Sequence, residues 1–176
     1  MTLFPQVVDG WHDFYLMIGT AAATLMGLLF VSLSLNVGVI TSKANADLRL
    51  LAVQTFVSYL STLMFALIFL IPKQGPIGLG LPMLGIDLIV LCVTVVRILE
   101  MRRNRPHSWV GGGFVLRFAA PLICFVAVLI IAVSALMGQT DGLYWFVPVV
   151  IVLFWVASIN AWNLLLQLGE LHSESQ

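Results

Sequence analysis

Four long stretches without Asp, Glu, Lys or Arg constrain this 176-residue chain more than any other feature of its sequence. They cover residues 14–42, 50–72, 118–140 and 142–169. Each is longer than the ~20 residues that an α-helix needs to cross a hydrocarbon core about 30 Å thick. A fifth stretch, 79–101, is apolar through its centre except for Asp87. The sequence therefore predicts an all-α integral membrane protein.

The composition excludes a soluble globular protein. Hydrophobic residues make up 61% of the chain and charged residues 9%, whereas a soluble domain carries about 25% charged residues. The 8 basic and 8 acidic residues balance, so the charge gives no reason to expect a nucleic-acid partner. The expected surroundings of this chain are a lipid bilayer.

The positive-inside rule distinguishes four crossings from five, because an added crossing moves every later loop to the other side. With five crossings, Lys73 alone lies opposite the other basic residues. Those others are Lys43, Arg49, Arg97, Arg102, Arg103, Arg105 and Arg117. With four crossings, the cluster at 102–105 would join Lys73 and most of the bias would vanish. We therefore predict a bundle of five transmembrane helices, with the N-terminus outside and the C-terminus cytoplasmic.

A single transmembrane helical domain accounts for residues 1–176, because the connecting loops are short. The predicted spans are 13–40, 48–71, 79–101, 113–137 and 143–168. The run from Gly19 to Asn36 has the look of a small bacterial inner-membrane protein. We expect a multi-pass protein of the bacterial inner (plasma) membrane.

Polar side chains within the predicted spans suggest a path for an ion or small solute. A carboxylate inside a span costs roughly 2.5–3.5 kcal/mol on insertion scales, so polar groups there usually face the bundle interior or water. Asp87 shares a helix face with Thr94 and Arg97. Most of the amides fall in the cytoplasmic half, which suggests a vestibule there. The predicted path comprises Thr20, Thr24, Asn36, Gln54, Ser58, Asp87, Asn160 and Asn163.

Small residues in the first predicted helix favour close helix packing. Gly19, Ala23 and Gly27 recur at four-residue spacing, the pattern that lets two helix backbones approach in a membrane. This helix-packing seam also offers a plainer interpretation of Thr20 and Thr24, because hydroxyl residues often join membrane helices.

Charged residues at the cytoplasmic ends of the spans have two expected roles. Arg97, Glu100 and Arg117 are predicted to form an ion-pair cluster that anchors the helix ends. The basic run that follows is expected to contact anionic lipid headgroups, at about 1 kcal/mol per residue. It consists of Arg102, Arg103 and Arg105.

The sequence contains little that supports enzyme chemistry. His12, His107 and His172 occur singly, and neither a zinc-protease nor a serine-hydrolase motif is present. We expect no catalytic residue, metal site or cofactor. Two functions stay open: a channel or transporter subunit that forms a homo-oligomer, and a non-catalytic accessory subunit that docks on a larger membrane-protein partner.

Overall fold

The computed structural model describes residues 3–41, 46–104 and 118–174, and the regular elements in these ranges are all helical. The all-α prediction is confirmed. The helices are α1 (Leu3–Asp9), α2 (His12–Leu35), α3 (Val37–Thr41), α4 (Ala46–Phe69), α5 (Pro76–Asn104), α6 (Ala120–Leu136) and α7 (Asp141–Glu174).

Four of these helices are long and apolar enough to cross a membrane, which identifies the chain as a multi-pass membrane protein. The qualifying segments are His12–Leu35, Leu48–Phe69, Pro76–Glu100 and Asp141–Gly169. Helix α6 is equally apolar but has only 17 residues. At 1.5 Å per residue it is about 26 Å long, slightly less than the hydrocarbon core. The first residues of the predicted fourth span, 113–117, lie outside the described ranges.

Helices α4, α5, α6 and α7 pack side by side in a closed ring, since each contacts the next and α7 returns to α4. Helix α2 packs on the outside of this ring, mainly against α4. As a result α4 is enclosed on several sides. Of its membrane-crossing window 61% is buried, compared with 22–33% for α2, α5 and α7.

Neighbouring helices in the bundle are antiparallel. Gly80 of α5 lies against Leu136 of α6, so the start of one helix meets the end of the other. The bundle thus has two ends, which we call the Gly138 end and the Glu100 end after residues located there.

The Gly138 end is filled by apolar side chains from every helix of the ring. Phe65 and Phe146 pack edge to face, with their ring centroids 5.6 Å apart. We call this group the apolar seal, and each member is at most 1% exposed. It consists of Phe65 of α4, Leu79 and Met83 of α5, Ala132 of α6 and Phe146 of α7. Such a core stabilises this half of the bundle, and the members of the seal are all apolar.

Replacing Gly19 by Ala is expected to weaken the packing of α2 on α4. A Cβ atom at Gly19 would lie 2.9 Å from the Cβ of Ala66, so the two helices must separate. Overpacking of this kind costs about 1–3 kcal/mol. The matched control is Gly27→Ala, because a Cβ there meets nothing within 4 Å. Thermal unfolding in detergent should show a lower midpoint for Gly19→Ala only, and equal midpoints would contradict the close approach.

Candidate functional site

Buried polar side chains run along the inside of the four-helix ring. Helix α4 contributes two, α5 three and α7 one, and all but Arg97 are at most 1% exposed. Arg97 is half-buried. We call this set the polar column. It consists of Gln54, Ser58, Asp87, Thr94, Arg97 and Asn160.

At one end of the column, side chains from different ring helices lie at the same height in the bundle, as the contacts between these helices indicate. Val57 of α4 and Val93 of α5 line the same cavity. Gln54 and Arg97 each lie about one turn further toward the Glu100 end, and Thr94 lies next to Val93. These three side chains therefore share one level of the bundle.

Helix α7 brings an amide to the same level. The Tyr59 hydroxyl of α4 donates a hydrogen bond of 3.1 Å to Ser158 Oγ of α7. From this contact, Asn160 and Gln54 both lie toward the Glu100 end, because the two helices are antiparallel. We call Gln54, Thr94, Arg97 and Asn160 the inner cluster. Three helices thus contribute to it.

Asp87 lies apart from the inner cluster, nearer the apolar seal. It stands about 10 Å from Thr94 along α5 and next to the middle of the 25-residue span of that helix. The neighbouring residue Ile86 shares a cavity with Ser61 of α4, so hydroxyl groups of α4 occupy the level of the acid.

The hydroxyl groups of α4 satisfy their hydrogen bonds within their own helix. Ser58 Oγ donates to the carbonyl of Gln54 at 3.1 Å. Ser61 and Thr62 both donate to the carbonyl of Ser58, at 3.0 and 2.9 Å. A hydroxyl bonded in this way needs no further partner. Ser58 therefore lines the column, but its hydroxyl group needs no ligand as a hydrogen-bond partner.

The other five members of the column are different, because each has at least one buried polar atom without a hydrogen-bond partner among the described residues. A buried polar atom left unpaired costs about 1–3 kcal/mol, so native proteins nearly always satisfy such atoms. The unpaired atoms are Oδ1 and Oδ2 of Asp87, Oε1 and Nε2 of Gln54, Oγ1 of Thr94, Nη1 of Arg97 and Oδ1 of Asn160. This concentration of unpaired atoms in one place marks the column as the candidate site.

The structure places Thr20 and Thr24 away from the column. Both are exposed on α2 and donate to carbonyls of their own helix, those of Leu16 and Thr20, at 2.8 and 2.9 Å. The face of α2 that packs inward carries Ile18 and Ala22 instead. The two threonines line a groove between α2 and α4 on the outside of the ring, so the path predicted through them does not connect to Asp87.

The two remaining asparagines of the predicted path have separate positions. Asn36 follows the last residue of α2, and its side chain donates to the carbonyl of Ser32 at 2.9 Å, which helps to end the helix outside the ring. Asn163 is half-buried on α7, about one turn beyond Asn160 toward the Glu100 end. It therefore borders the inner cluster.

The small residues of α2 do not act as one seam within this chain. Gly19 is buried against Ala66, whereas Ala23 and Gly27 are exposed. Toward the Glu100 end, α2 packs on α4 through Leu29 instead, with Leu25 and Met26 beside it.

The expected ion pair between Arg97 and Glu100 is not formed in the described part of the chain. Arg97 Nη1 is buried without a partner, while Glu100 is exposed. Glu100 acts on Arg97 electrostatically, but the two side chains form no direct ion pair. Arg117 and Arg105 lie outside the described residues, and the described side chains do not include those of Arg102 and Arg103. The predicted lipid contacts of this basic run stay predictions.

Thr94 and Arg97 share a predicted helix face with Asp87, but Arg97 was assigned to an ion pair and Thr94 was left out of the predicted path. Ser61 and Thr62 of α4 were also left out of that path, because serine and threonine are common packing residues in membrane helices. Within the described ranges, no group of three or more His, Cys, Asp or Glu side chains is placed to hold a metal ion.

No protein-family model matches the chain, and no curated protein or solved structure matches it. A function for the chain must therefore be argued from the geometry of the polar column.

Proposed function

We propose that this protein is a small membrane channel or transporter subunit that passes an ion or small solute along the polar column. The observation that carries the proposal is the set of unpaired polar atoms inside the ring. Ionisable and amide groups within membrane spans are expensive, and they commonly mark ion or proton pathways.

The cost of burying these polar residues favours a solute path over a purely structural helix bundle. A bundle that needed only to hold its shape would be at least as stable with apolar side chains in place of Gln54, Asp87 and Asn160. Each of these residues lies in the interior of the ring, where no lipid headgroup satisfies it. A permeating ion, a solute or water supplies the missing hydrogen bonds in the proposed path.

The apolar seal favours a transporter or a gated channel over a pore that is always open. The column ends below the seal, so passage to the Gly138 end requires the seal to move. Pro82 of α5 and Pro148 of α7 lie inside their helices beside seal residues. A proline removes a backbone hydrogen bond and loosens the helix there. These two positions are the proposed hinges.

The proposed topology has five crossings, with the N-terminus outside and the Glu100 end facing the cytoplasm. Helix α6 supports the fifth crossing, because it lies antiparallel between α5 and α7 as a full member of the ring. The expected location is a bacterial inner membrane. Homo-oligomerisation is also proposed, since a ring of only four short helices encloses little volume.

Liposome flux tests the proposal. Purified protein reconstituted in liposomes is expected to conduct a monovalent ion or a small polar solute above the rate of protein-free liposomes. The solutes to be tested are alkali cations, small anions and neutral molecules such as glycerol, which represent the classes of solute that the proposed path includes. No flux of any of these through folded, correctly inserted protein would contradict the proposal.

A non-catalytic accessory subunit is the second candidate, and one observation favours it. Exposed Trp155 and Trp162 of α7 line an apolar groove with Ile18 of α2, of a size that suits a helix of a partner protein. Gentle detergent extraction is expected to recover a stoichiometric membrane partner if this candidate holds. Recovery of self-associated protein alone would exclude it.

A further inference from the structure

We propose that the inner cluster is a binding site for a small anion, such as a carboxylate or a monovalent inorganic anion. This inference rests on the proposed function and specifies the class of solute that the column takes. It is carried by the buried Nη1 of Arg97, which lies at the same level of the bundle as two amides and a hydroxyl that also have unpaired atoms.

The charge of Arg97 is the fixed charge of the column. A guanidinium keeps its proton in proteins, whereas the carboxyl of Asp87 is able to become neutral by binding one. The two groups stand about 15 Å apart along α5, too far for an ion pair. Among the described acidic side chains, Glu100 is the nearest in sequence, and it acts on Arg97 electrostatically, but it is exposed and forms no direct ion pair with Arg97. The inner cluster therefore contains a cationic N–H group that has no direct acidic partner among the described residues.

The remaining polar atoms complete the recognition of an anion. Thr94 Oγ1 and Gln54 Nε2 are unpaired donors at the level of Arg97 Nη1. Donors from two helices thus lie at the level of the charge, and hydrogen bonds to an ionised partner are about twice as strong as neutral ones. The unpaired carbonyl oxygens of Gln54 and Asn160 are able to accept a hydrogen bond from a hydroxyl group of the ligand or from water.

Arg97 and Asn163 are half-buried at the border of the site, whereas Thr94 and Asn160 are at most 1% exposed. Toward the Glu100 end, Leu51 of α4 and Leu164 of α7 are buried as well, and in the opposite direction the apolar seal closes the ring. The proposed entry of the anion is therefore past the half-buried guanidinium of Arg97.

Thermal unfolding of the purified full chain with sodium formate tests the site, with sodium gluconate at the same ionic strength as the reference anion. A ligand that binds only the folded state stabilises it in a saturable way. At about one hundred times the dissociation constant, formate is expected to raise the unfolding midpoint by roughly 5 °C. No rise above the gluconate reference in the unmodified protein would overturn the proposal.

Variants assign the effect to the inner cluster. Arg97→Gln is expected to abolish the formate-dependent rise, and Thr94→Val, which removes one donor at nearly constant volume, to raise the half-saturating concentration several-fold. The matched control is Arg49→Gln, since Arg49 is exposed on α4. It should leave the rise unchanged. If Arg97→Gln does not fold, Thr94→Val still decides, and an unchanged half-saturating concentration in that variant would overturn the proposal.

Measurement of a diffusion potential distinguishes a failure of the anion site from a failure of the proposed transport function. In liposomes with a sodium formate gradient, an anion path gives a potential set by formate, and a cation path gives the opposite sign. A sodium-selective potential overturns the anion site and leaves transport standing. Formate binding without any flux supports the site and contradicts transport.

Discussion

Replacing Asp87 by Asn is expected to lower liposome flux at least tenfold while the protein still folds. Asparagine has nearly the same volume, but it is unable to change its charge by binding or releasing a proton as the solute passes. An interaction that depends on such a charged group is worth about 1.5–3 kcal/mol, which corresponds to roughly a tenfold or larger change in rate. Asp87 has no hydrogen-bond partner among the described residues, so the exchange breaks no protein contact there.

Two control variants accompany this measurement. Asp141→Asn makes the same chemical change at an exposed residue in the first turn of α7 and should leave flux unchanged. Thr24→Val removes a hydroxyl from the exposed side of α2 and should also be neutral. Equal flux in Asp87→Asn and the unmodified protein would remove the acid from the path.

The second large effect is expected for Gln54→Leu, which should stabilise the fold and abolish most of the flux. Both polar atoms of Gln54 are buried without a protein partner, so leucine removes a cost of burial. The free energy of unfolding is expected to rise by about 1 kcal/mol. At the same time the path loses an amide at the level of Arg97. Chemical unfolding in detergent and liposome flux measure the two effects separately.

Gln74→Leu is the matched control, because Gln74 is also a buried glutamine but is bonded. Its Nε2 donates to the carbonyl of Ile68 at 2.8 Å, whereas its Oε1 is buried without a partner among the described residues. Leucine there removes one hydrogen bond, although the Ile68 carbonyl still accepts one from the Ile71 N–H, so the free energy of unfolding should fall while flux is maintained. A fall of similar size in Gln54→Leu would mean that the inner cluster is an ordinary structural polar core.

The helices are predictable from the sequence because the membrane imposes a simple rule on it. A charged residue is excluded from a lipid-exposed helix, so charge-free stretches mark where helices run. Helix α6 shows where this rule is less decisive. Its charge-free stretch begins at residue 118, but the helix proper covers only Ala120–Leu136. Length alone therefore leaves its crossing undecided.

The site is predictable only where a side chain has no local way to satisfy its polar atoms. Asp87, Gln54 and Asn160 are costly in lipid, and all three are found buried inside the ring. Thr20 and Thr24 differ, because a threonine hydroxyl on a helix bonds the carbonyl four residues earlier. They cost little on a lipid-facing surface, so their presence in a span does not locate a path.

Thiol labelling within the column tests the central claim, that the interior polar groups are reached by water and small solutes. The two native cysteines, Cys92 and Cys124, are first replaced by Ala. Thr94→Cys then places a thiol in the inner cluster, and Ala132→Cys places one in the apolar seal, where exposure is equally low. The account predicts that a small sulfonate-bearing thiol reagent modifies Thr94→Cys in native membranes but not Ala132→Cys. Equal resistance of both thiols would contradict it.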